Sequence, residues 1–261
     1  MVESFSFTSL AEKILSTEGG AAVQTLSDAG RAVLVRRALE ELQDNVHYYH
    51  RHRRSAAFCQ MAAQTIDELK SAGLSGQQLA QLAGACGAES GKLSELALIF
   101  QGYETLLARS GMDPSDRLEL AGARLEEALA RHSLPEFLRD RAVFIDEFDT
   151  FNAPKKRLLG AMLAALPSVT VALCDDGAPL LPGDLSLFSG AKQVAAQLRQ
   201  LARKNGAEVA VPQLLRKDLR HRNAPGLAAV AELLETGSCT ADAPAGEVRL
   251  FAAPSREEEA R

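Results

Sequence analysis

Two adjacent carboxylates at the end of an apolar run are the residues of this chain best suited to do chemistry. Residues 143–150 read Val-Phe-Ile-Asp-Glu-Phe-Asp-Thr, so the apolar run ends in Asp146 and Glu147. A buried parallel strand that delivers acids to its carboxyl end can hold Mg²⁺ and orient an attacking water. The pattern favours an ATPase-type site with both acids catalytic and Asp146 as metal ligand. Solvated acids that merely end a strand are the alternative.

An ATPase-type site also needs a phosphate loop of the form G-x-x-x-x-G-K-[ST], whose backbone N–H groups and lysine hold the phosphates. The sequence contains no such loop. The nearest match, residues 86–93, has Cys86 where the first glycine belongs and Leu93 where the Mg²⁺-binding hydroxyl belongs. It lies between helical patterns, so we expect an interhelical loop there. We expect no ATP turnover from this chain alone.

A second acidic pair, Asp175 and Asp176, follows the apolar run at residues 169–174. Two neighbouring strands with acids at the same end predict a cleft at the carboxyl edge of the sheet. If the four acids met there, the chain could be a self-contained Mg²⁺-dependent hydrolase. Asp-Asp-Gly is also a common turn sequence, so both interpretations stay open.

The most basic and aromatic-rich stretch is His-Tyr-Tyr-His-Arg-His-Arg-Arg, residues 47–54. Such side chains could stack on bases and pair with phosphates. The alternative is an exposed helix end or loop. Its histidines lack the i, i+4 spacing and nearby glutamate of a zinc helix. Residues 155–157, Lys-Lys-Arg, are predicted to be a solvated helix end.

The composition indicates a globular protein, and its net charge does not point to nucleic acid or to any other class of partner. The chain has 261 residues, is 46% hydrophobic and carries a net charge of −5, so a nucleic-acid groove would have to be local. Its four cysteines are far apart, which argues against a disulfide framework or zinc site. No charged-then-apolar leader and no apolar run of about 18 residues occurs. We expect a cytoplasmic protein without a membrane partner.

Short predicted strands separated by helical patterns indicate an α/β fold, with a parallel sheet flanked by helices. The predicted strands are residues 4–8, 142–147, 169–174, 208–211 and 247–251. Residues 27–131 show only helical periodicity, for example at Leu93, Leu96, Ile99 and Tyr103. We predict an inserted helical subdomain at residues 27–131 and a sheet-containing core at residues 1–26 and 132–261.

Taken in order, these pieces resemble the UvrD-like superfamily-one helicases, and more closely the AddB subunits of bacterial AddAB helicase-nucleases. Residues 5–11, Phe-Ser-Phe-Thr-Ser-Leu-Ala, are similar to the family's strand that contacts single-stranded DNA. The resemblance therefore implies DNA contacts for Phe7, Thr8 and Ser9. Residues 111–118, Gly-Met-Asp-Pro-Ser-Asp-Arg-Leu, are the part most similar to AddB.

The match to the helicase motifs is incomplete. Asp146, Glu147 and Phe148 align with the family's Mg²⁺-binding Asp-Glu-Phe-Gln-Asp-Thr-Asn motif, but Asp149 replaces the glutamine. Residues 169–176 are similar to the next strand and its Gly-Asp-x-x-Gln element, with cysteine and alanine at the glycine and glutamine positions. Arg222 falls at the arginine of the Asn-Tyr-Arg-Ser element, which implies a nucleotide contact.

The resemblance implies part of a RecA-like helicase core from a DNA double-strand-break repair subunit, contributing DNA contacts and subunit docking. Its partners would be DNA and an AddA-like helicase-nuclease subunit. ATP and Mg²⁺ would belong to the intact protein, and neither is expected to bind this piece tightly. We expect the phosphate loop to precede the chain, leaving a sheet edge prone to self-association. A noncatalytic protein-interaction scaffold and an ATP-hydrolysing UvrD-like fragment are the alternatives.

Overall fold

The computed structural model describes residues 2–42, 44–87, 90–215, 222–238, 248–249, 252 and 254–255. Packing divides the chain into two units, Met1–Asp175 with Gly190–Val209, and Asp176–Ser189 with Ala210–Arg261. Within the described ranges, no helix is both long enough and apolar enough to cross a membrane.

The first unit is mainly helical and contains a small parallel sheet, which confirms the predicted α/β class with an extensive helical part. Its elements are α1 (Phe7–Glu18), α2 (Asp28–Glu41), α3 (Ala56–Ser71), α4 (Gly76–Ala83), α5 (Ser90–Ser110), α6 (Pro114–Ala130), β1 (Ala142–Ile145), α7 (Ala153–Ala165) and β2 (Ser168–Val171). Nearly all of α8 (Ser189–Lys204) also belongs to it, whereas α9 (Pro225–Thr236) lies in the second unit.

Capping side chains begin several helices where the sequence predicts them. Ser27 and Asn152 precede α2 and α7, and each side-chain oxygen accepts the backbone N–H three residues further on. These bonds satisfy amides that have no partner within the helix. Helix starts are therefore set by side chains close in sequence.

The first unit contains two clusters of buried side chains. One joins α2, α3 and α5 with Leu79 of α4, and Phe100 and Tyr103 lie at its centre. The other joins α1, α6, β1 and α7 through side chains that include Ile14, Leu125 and Leu158. The helical stripes are confirmed as core faces. The predicted domain boundaries remain a prediction.

The sheet is covered on one face. β1 and β2 pair in parallel, with Ala142 opposite Ser168 and Ile145 opposite Val171. Ile145 points into the second cluster, but Phe144, on the opposite face, is 76% exposed. The expectation of a strand buried on both faces is therefore wrong, because within the described residues the second face has no covering element.

Two other predicted strands are not formed, and a third lies mostly outside the described residues. Residues 4–8 do not form a strand, because Ser6 caps α1 and Phe7 is its first residue. Residues 208–211 are described and form no strand. The strand expected at residues 247–251 lies outside the described residues apart from Val248 and Arg249. Residues 86–87 lie between α4 and α5, as predicted for an interhelical loop, whereas residues 90–93 already belong to α5.

A buried polar network ties α3 and α5 to the start of α6. The Asp113 carboxylate, 1% exposed, accepts hydrogen bonds from the Tyr103 hydroxyl at 2.6 Å and from Lys70 Nζ at 2.9 Å. Lys70 also pairs with Asp116 at 2.6 Å. Burial raises the pKa of Tyr103, and the negative charge of Asp113 raises it further. Burial alone would lower the pKa of Lys70, but the two aspartates outweigh it and raise that pKa.

Candidate functional site

The structure places Asp146 and Glu147 directly after β1, at the carboxyl end of the parallel pair. Val143 and Ile145 turn inward and tie the strand to the core, so the next residues emerge at the edge of the sheet. Both acidic side chains are exposed. The edge therefore presents two accessible carboxylates on an anchored strand, the position that ligands use in open α/β sheets.

The turn that carries these acids has an unusual backbone. Glu147 has a φ of 64°, in the left-handed region that non-glycine residues seldom occupy. The Glu147 N–H donates to Asp146 Oδ1 at 2.9 Å, which supports this conformation. A left-handed conformation costs about 1–2 kcal/mol per residue, and such strain concentrates at functional sites. His132 and Asp140 share this conformation, so Glu147 is distinguished by having it directly after the strand β1.

An aromatic cluster anchors the same turn to α1. Phe148 meets Phe7 edge to face with ring centroids 5.0 Å apart, and Phe151 lies 6.0 Å from each of these rings. Lys155 Nζ lies 5.3 Å from the centroid of Phe148 and 5.7 Å from that of Phe7. These distances are those of favourable ring pairs and cation–π contacts. The cluster brings the N-terminal segment, for which we predict DNA contacts, beside the acidic turn.

The three residues predicted to contact DNA have different surroundings. Phe7 is 8% exposed and its ring belongs to the core, so little of it remains accessible. Thr8 and Ser9 are exposed on the first turn of α1. Ser9 also completes the helix cap, since its hydroxyl accepts the Ser6 N–H at 2.8 Å. Their contact with DNA stays a prediction.

The second acidic pair does not extend the sheet edge. β2 ends at Val171, before Asp175 and Asp176 are reached. Asp176 accepts the Ala178 N–H at 2.8 Å, as in the turn that Asp-Asp-Gly favours. Among the described residues no group of three or more His, Cys, Asp or Glu side chains could hold a metal ion. The grouping of acids that a self-contained hydrolase needs is therefore not formed.

Comparison with known protein families identifies the family of this chain. The chain matches the family described as "ADDB, N-terminal" over residues 1–231. The chain belongs to this family. The family resemblance found in the sequence is confirmed.

Curated relatives of this AddB-family chain are named as the B component of an ATP-dependent helicase/deoxyribonuclease. Those of Desulforudis audaxviator and Symbiobacterium thermophilum are 32% and 31% identical to it, over 97% of this chain and 22% of each relative. That of Moorella thermoacetica is 32% identical over 87% of this chain and 20% of the relative. The chain thus spans about a fifth of the length of the curated relatives it matches.

Arg222, predicted to contact nucleotide, lies in the second unit of this AddB-family chain. It is exposed and precedes α9, while residues 216–221 before it lie outside the described residues. Its role in nucleotide binding stays a prediction.

The basic residues at the start of α7 lie at a partly exposed helix end, as the sequence suggests, and each of them has a partner. Lys155 covers aromatic rings, and Lys156 Nζ donates to Gln197 at 2.7 Å. Arg157 pairs with Glu126 at 2.8 Å and with Glu119 at 2.9 Å. The hydrogen bonds to these two glutamates raise the pKa of Arg157. Sequence reasoning misses these contacts because the partners are distant along the chain, and no local spacing signals them.

Proposed function

We propose that this chain forms part of the helicase-like core of an AddB-type component of an ATP-dependent helicase/deoxyribonuclease that acts in DNA double-strand-break repair. In that role it contributes DNA contacts and docks to an AddA-like helicase-nuclease subunit. The supporting observation is the strained Asp146–Glu147 turn at the carboxyl end of β1, in a chain of the AddB family. A protein that acts on chromosomal DNA in bacteria works in the cytoplasm.

The chemistry of the turn fits a bound Mg²⁺–nucleotide. Magnesium in such sites uses one or two protein carboxylates and completes its shell with phosphate oxygens and water, so a third acid is not needed. Asp146 would supply the metal ligand, and Glu147 would hold the attacking water. Arg222 would pair with a phosphate. The ion would neutralise charge that develops on the phosphates.

A phosphate loop from outside these residues is needed to complete the site, since the sequence contains no G-x-x-x-x-G-K-[ST] match. In the intact protein, Asp146 and Glu147 then act only when that loop presents the nucleotide to the sheet edge. For this chain alone we expect no ATP turnover.

The test uses the complete AddB-type protein assembled with its partner, with the partner's own ATP site inactivated. We expect Asp146→Asn to lower DNA-stimulated ATP hydrolysis at least about tenfold, because a metal held at the phosphates supplies several kcal/mol of charge stabilisation. Asp149→Asn is the matched control, since Asp149 is an exposed acid in the same turn region. It should change the rate by less than about twofold.

A noncatalytic scaffold is the second candidate, because Asp146 and Glu147 are exposed, as solvated acids that only end a strand would be. It predicts that the unmodified and Asp146→Asn complexes both assemble and both show only background ATP hydrolysis once the partner's site is inactivated. Equal rates for Asp146→Asn and Asp149→Asn would reject the nucleotide role in favour of this scaffold.

A further inference from the structure

A buried carboxylate holds the segment between α2 and α3 in place. Glu95 of α5 is 6% exposed, and it accepts the backbone N–H groups of His47 at 2.7 Å, Tyr48 at 2.8 Å and Tyr49 at 3.2 Å. Hydrogen bonds to a charged acceptor are stronger than neutral ones. Three of them on consecutive residues fix the turn that carries both tyrosines. The segment is therefore an organised surface and not a frayed helix end.

The anchored turn and the first turns of α3 surround an open cavity of about 500 Å³. Tyr49 stacks on Phe58, with centroids 5.4 Å apart and planes at 28°, and His52 lies 5.5 Å from the same ring. Tyr48 is 59% exposed. We call the lining residues used below the aromatic-basic patch; they are Tyr48, Tyr49, His52, Phe58, Met61 and Lys92.

The segment that contributes most of the patch is locally basic. Residues 45–66 contain three arginines and three histidines but no aspartate or glutamate, whereas the net charge of the chain is −5. Arg51, Arg54 and Lys92 are exposed. Exposed rings beside cations provide the two contacts that unpaired nucleotides use, stacking for bases and ion pairs for phosphates.

We propose that the aromatic-basic patch binds single-stranded DNA. Bases stack on the exposed ring of Tyr48, and phosphates pair with Arg51, Arg54 and Lys92. The contact is tolerant of sequence because every base has a π face, and salt weakens it because counterions are released on binding. A duplex keeps its bases stacked within the helix, so it offers this surface only phosphates.

This inference rests on the proposed role in DNA processing and adds a binding site to it. The patch is built from α3, α5 and the turn before α3, none of which contributes to the Asp146–Glu147 turn. Its test is therefore independent of the nucleotide chemistry. It also places a DNA contact at Tyr48, whose ring is exposed, whereas Phe7 uses its ring in the core.

The experiment measures fluorescence anisotropy of a labelled oligothymidine of about 16 nucleotides, a length that spans a typical single-strand site. The protein is the full 261-residue chain. We expect Tyr48→Ala to weaken binding about fivefold or more, since it removes a stacking surface. Tyr48→Phe is the matched control, and it should stay within about twofold because the ring remains.

The ionic part of the contact is measured by repeating the titration at several salt concentrations. Arg54→Gln should reduce the magnitude of the slope of log K against log salt by about 0.7, the value for one lost contact to a single strand. Arg109→Gln changes the net charge equally, but Arg109 lies in the last turn of α5, at the opposite end from Lys92. It should leave the slope unchanged.

Absence of oligonucleotide binding, equal affinities of the two Tyr48 variants, or equal affinity for a matched duplex would overturn the inference. If circular dichroism shows a variant to be unfolded, the unmodified chain is photo-crosslinked to DNA that contains iodinated deoxyuridine. Crosslinks at Tyr48, Tyr49 or Phe58 support the proposal, and crosslinks only elsewhere overturn it. Either failure leaves the Asp146→Asn test of the proposed function intact.

Discussion

Replacing Phe7 with alanine tests whether this residue belongs to the core or to a DNA-contact surface. Its ring is 8% exposed and lies 5.0 Å from Phe148 and 6.0 Å from Phe151. Truncation of a buried phenylalanine costs about 3–5 kcal/mol, a range that includes the loss of edge-to-face ring contacts. An exposed side chain changes stability by only about 0.5 kcal/mol. We expect Phe7→Ala to lower the free energy of unfolding by about 4 kcal/mol.

The assay is urea unfolding of the chain followed by far-ultraviolet circular dichroism. With a slope of about 2.5 kcal/mol per molar urea, a loss of about 4 kcal/mol moves the midpoint down by about 1.6 M. Phe144→Ala is the matched control, because Phe144 is 76% exposed on the open face of the sheet. It should move the midpoint by less than about 0.3 M.

A loss below about 1 kcal/mol for Phe7→Ala would refute the placement of this ring in the core, since such values are typical of surface positions. A loss for Phe7→Ala no larger than the small loss expected for Phe144→Ala would do the same. Either result would return Phe7 to the group of residues available for DNA.

Three further predictions concern the buried Asp113 network, the half-buried Glu104 and the open face of the sheet. Asp113→Ala should cost about 1–3 kcal/mol in urea unfolding, because the buried Tyr103 hydroxyl loses its acceptor and Lys70 keeps only Asp116, whereas Asp28→Ala on the surface should have little effect; similar midpoints for both would contradict this. Burial raises the pKa of Glu104, so its protonated form favours folding, and that contribution is lost as pH rises through the raised pKa. The stability of Glu104→Gln relative to the unmodified chain should therefore rise as pH increases above about 4.3, the ordinary pKa of a glutamate, and a pH-independent difference would exclude the effect. In sedimentation experiments the unmodified chain should self-associate as its concentration rises, and Phe144→Lys should weaken this association. A strictly monomeric unmodified chain would contradict the prediction.

Local patterns in the sequence predict most of the helical structure because their causes are close along the chain. Ser27 and Asn152 cap helices through the amide three residues away. Ile99, Phe100 and Tyr103 are buried together because helical spacing places them on one face. The position of Asp146 and Glu147 at a strand end follows in the same way from an apolar run that stops at acids.

The environment of individual side chains could not be predicted in this way. Residues 4–8 have a strand-like composition, but the cap formed by Ser6 starts a helix at Phe7. Phe144 is apolar yet exposed, because its burial depends on an element packing against the outer face of β1. Burial is a property of pairs of surfaces, and one segment of sequence contains only one of them.

The sequence by itself determined the class of the fold, the family and the acidic turn, since periodicity, caps and motif order are local properties. Only the tertiary structure decided that Phe7 lies in the core and that Glu95 anchors a turn 48 residues before it. It also decided that Lys155 covers aromatic rings. These contacts join segments far apart in sequence, and the folded chain brings them together because burying their apolar surfaces and satisfying their polar groups lowers the free energy.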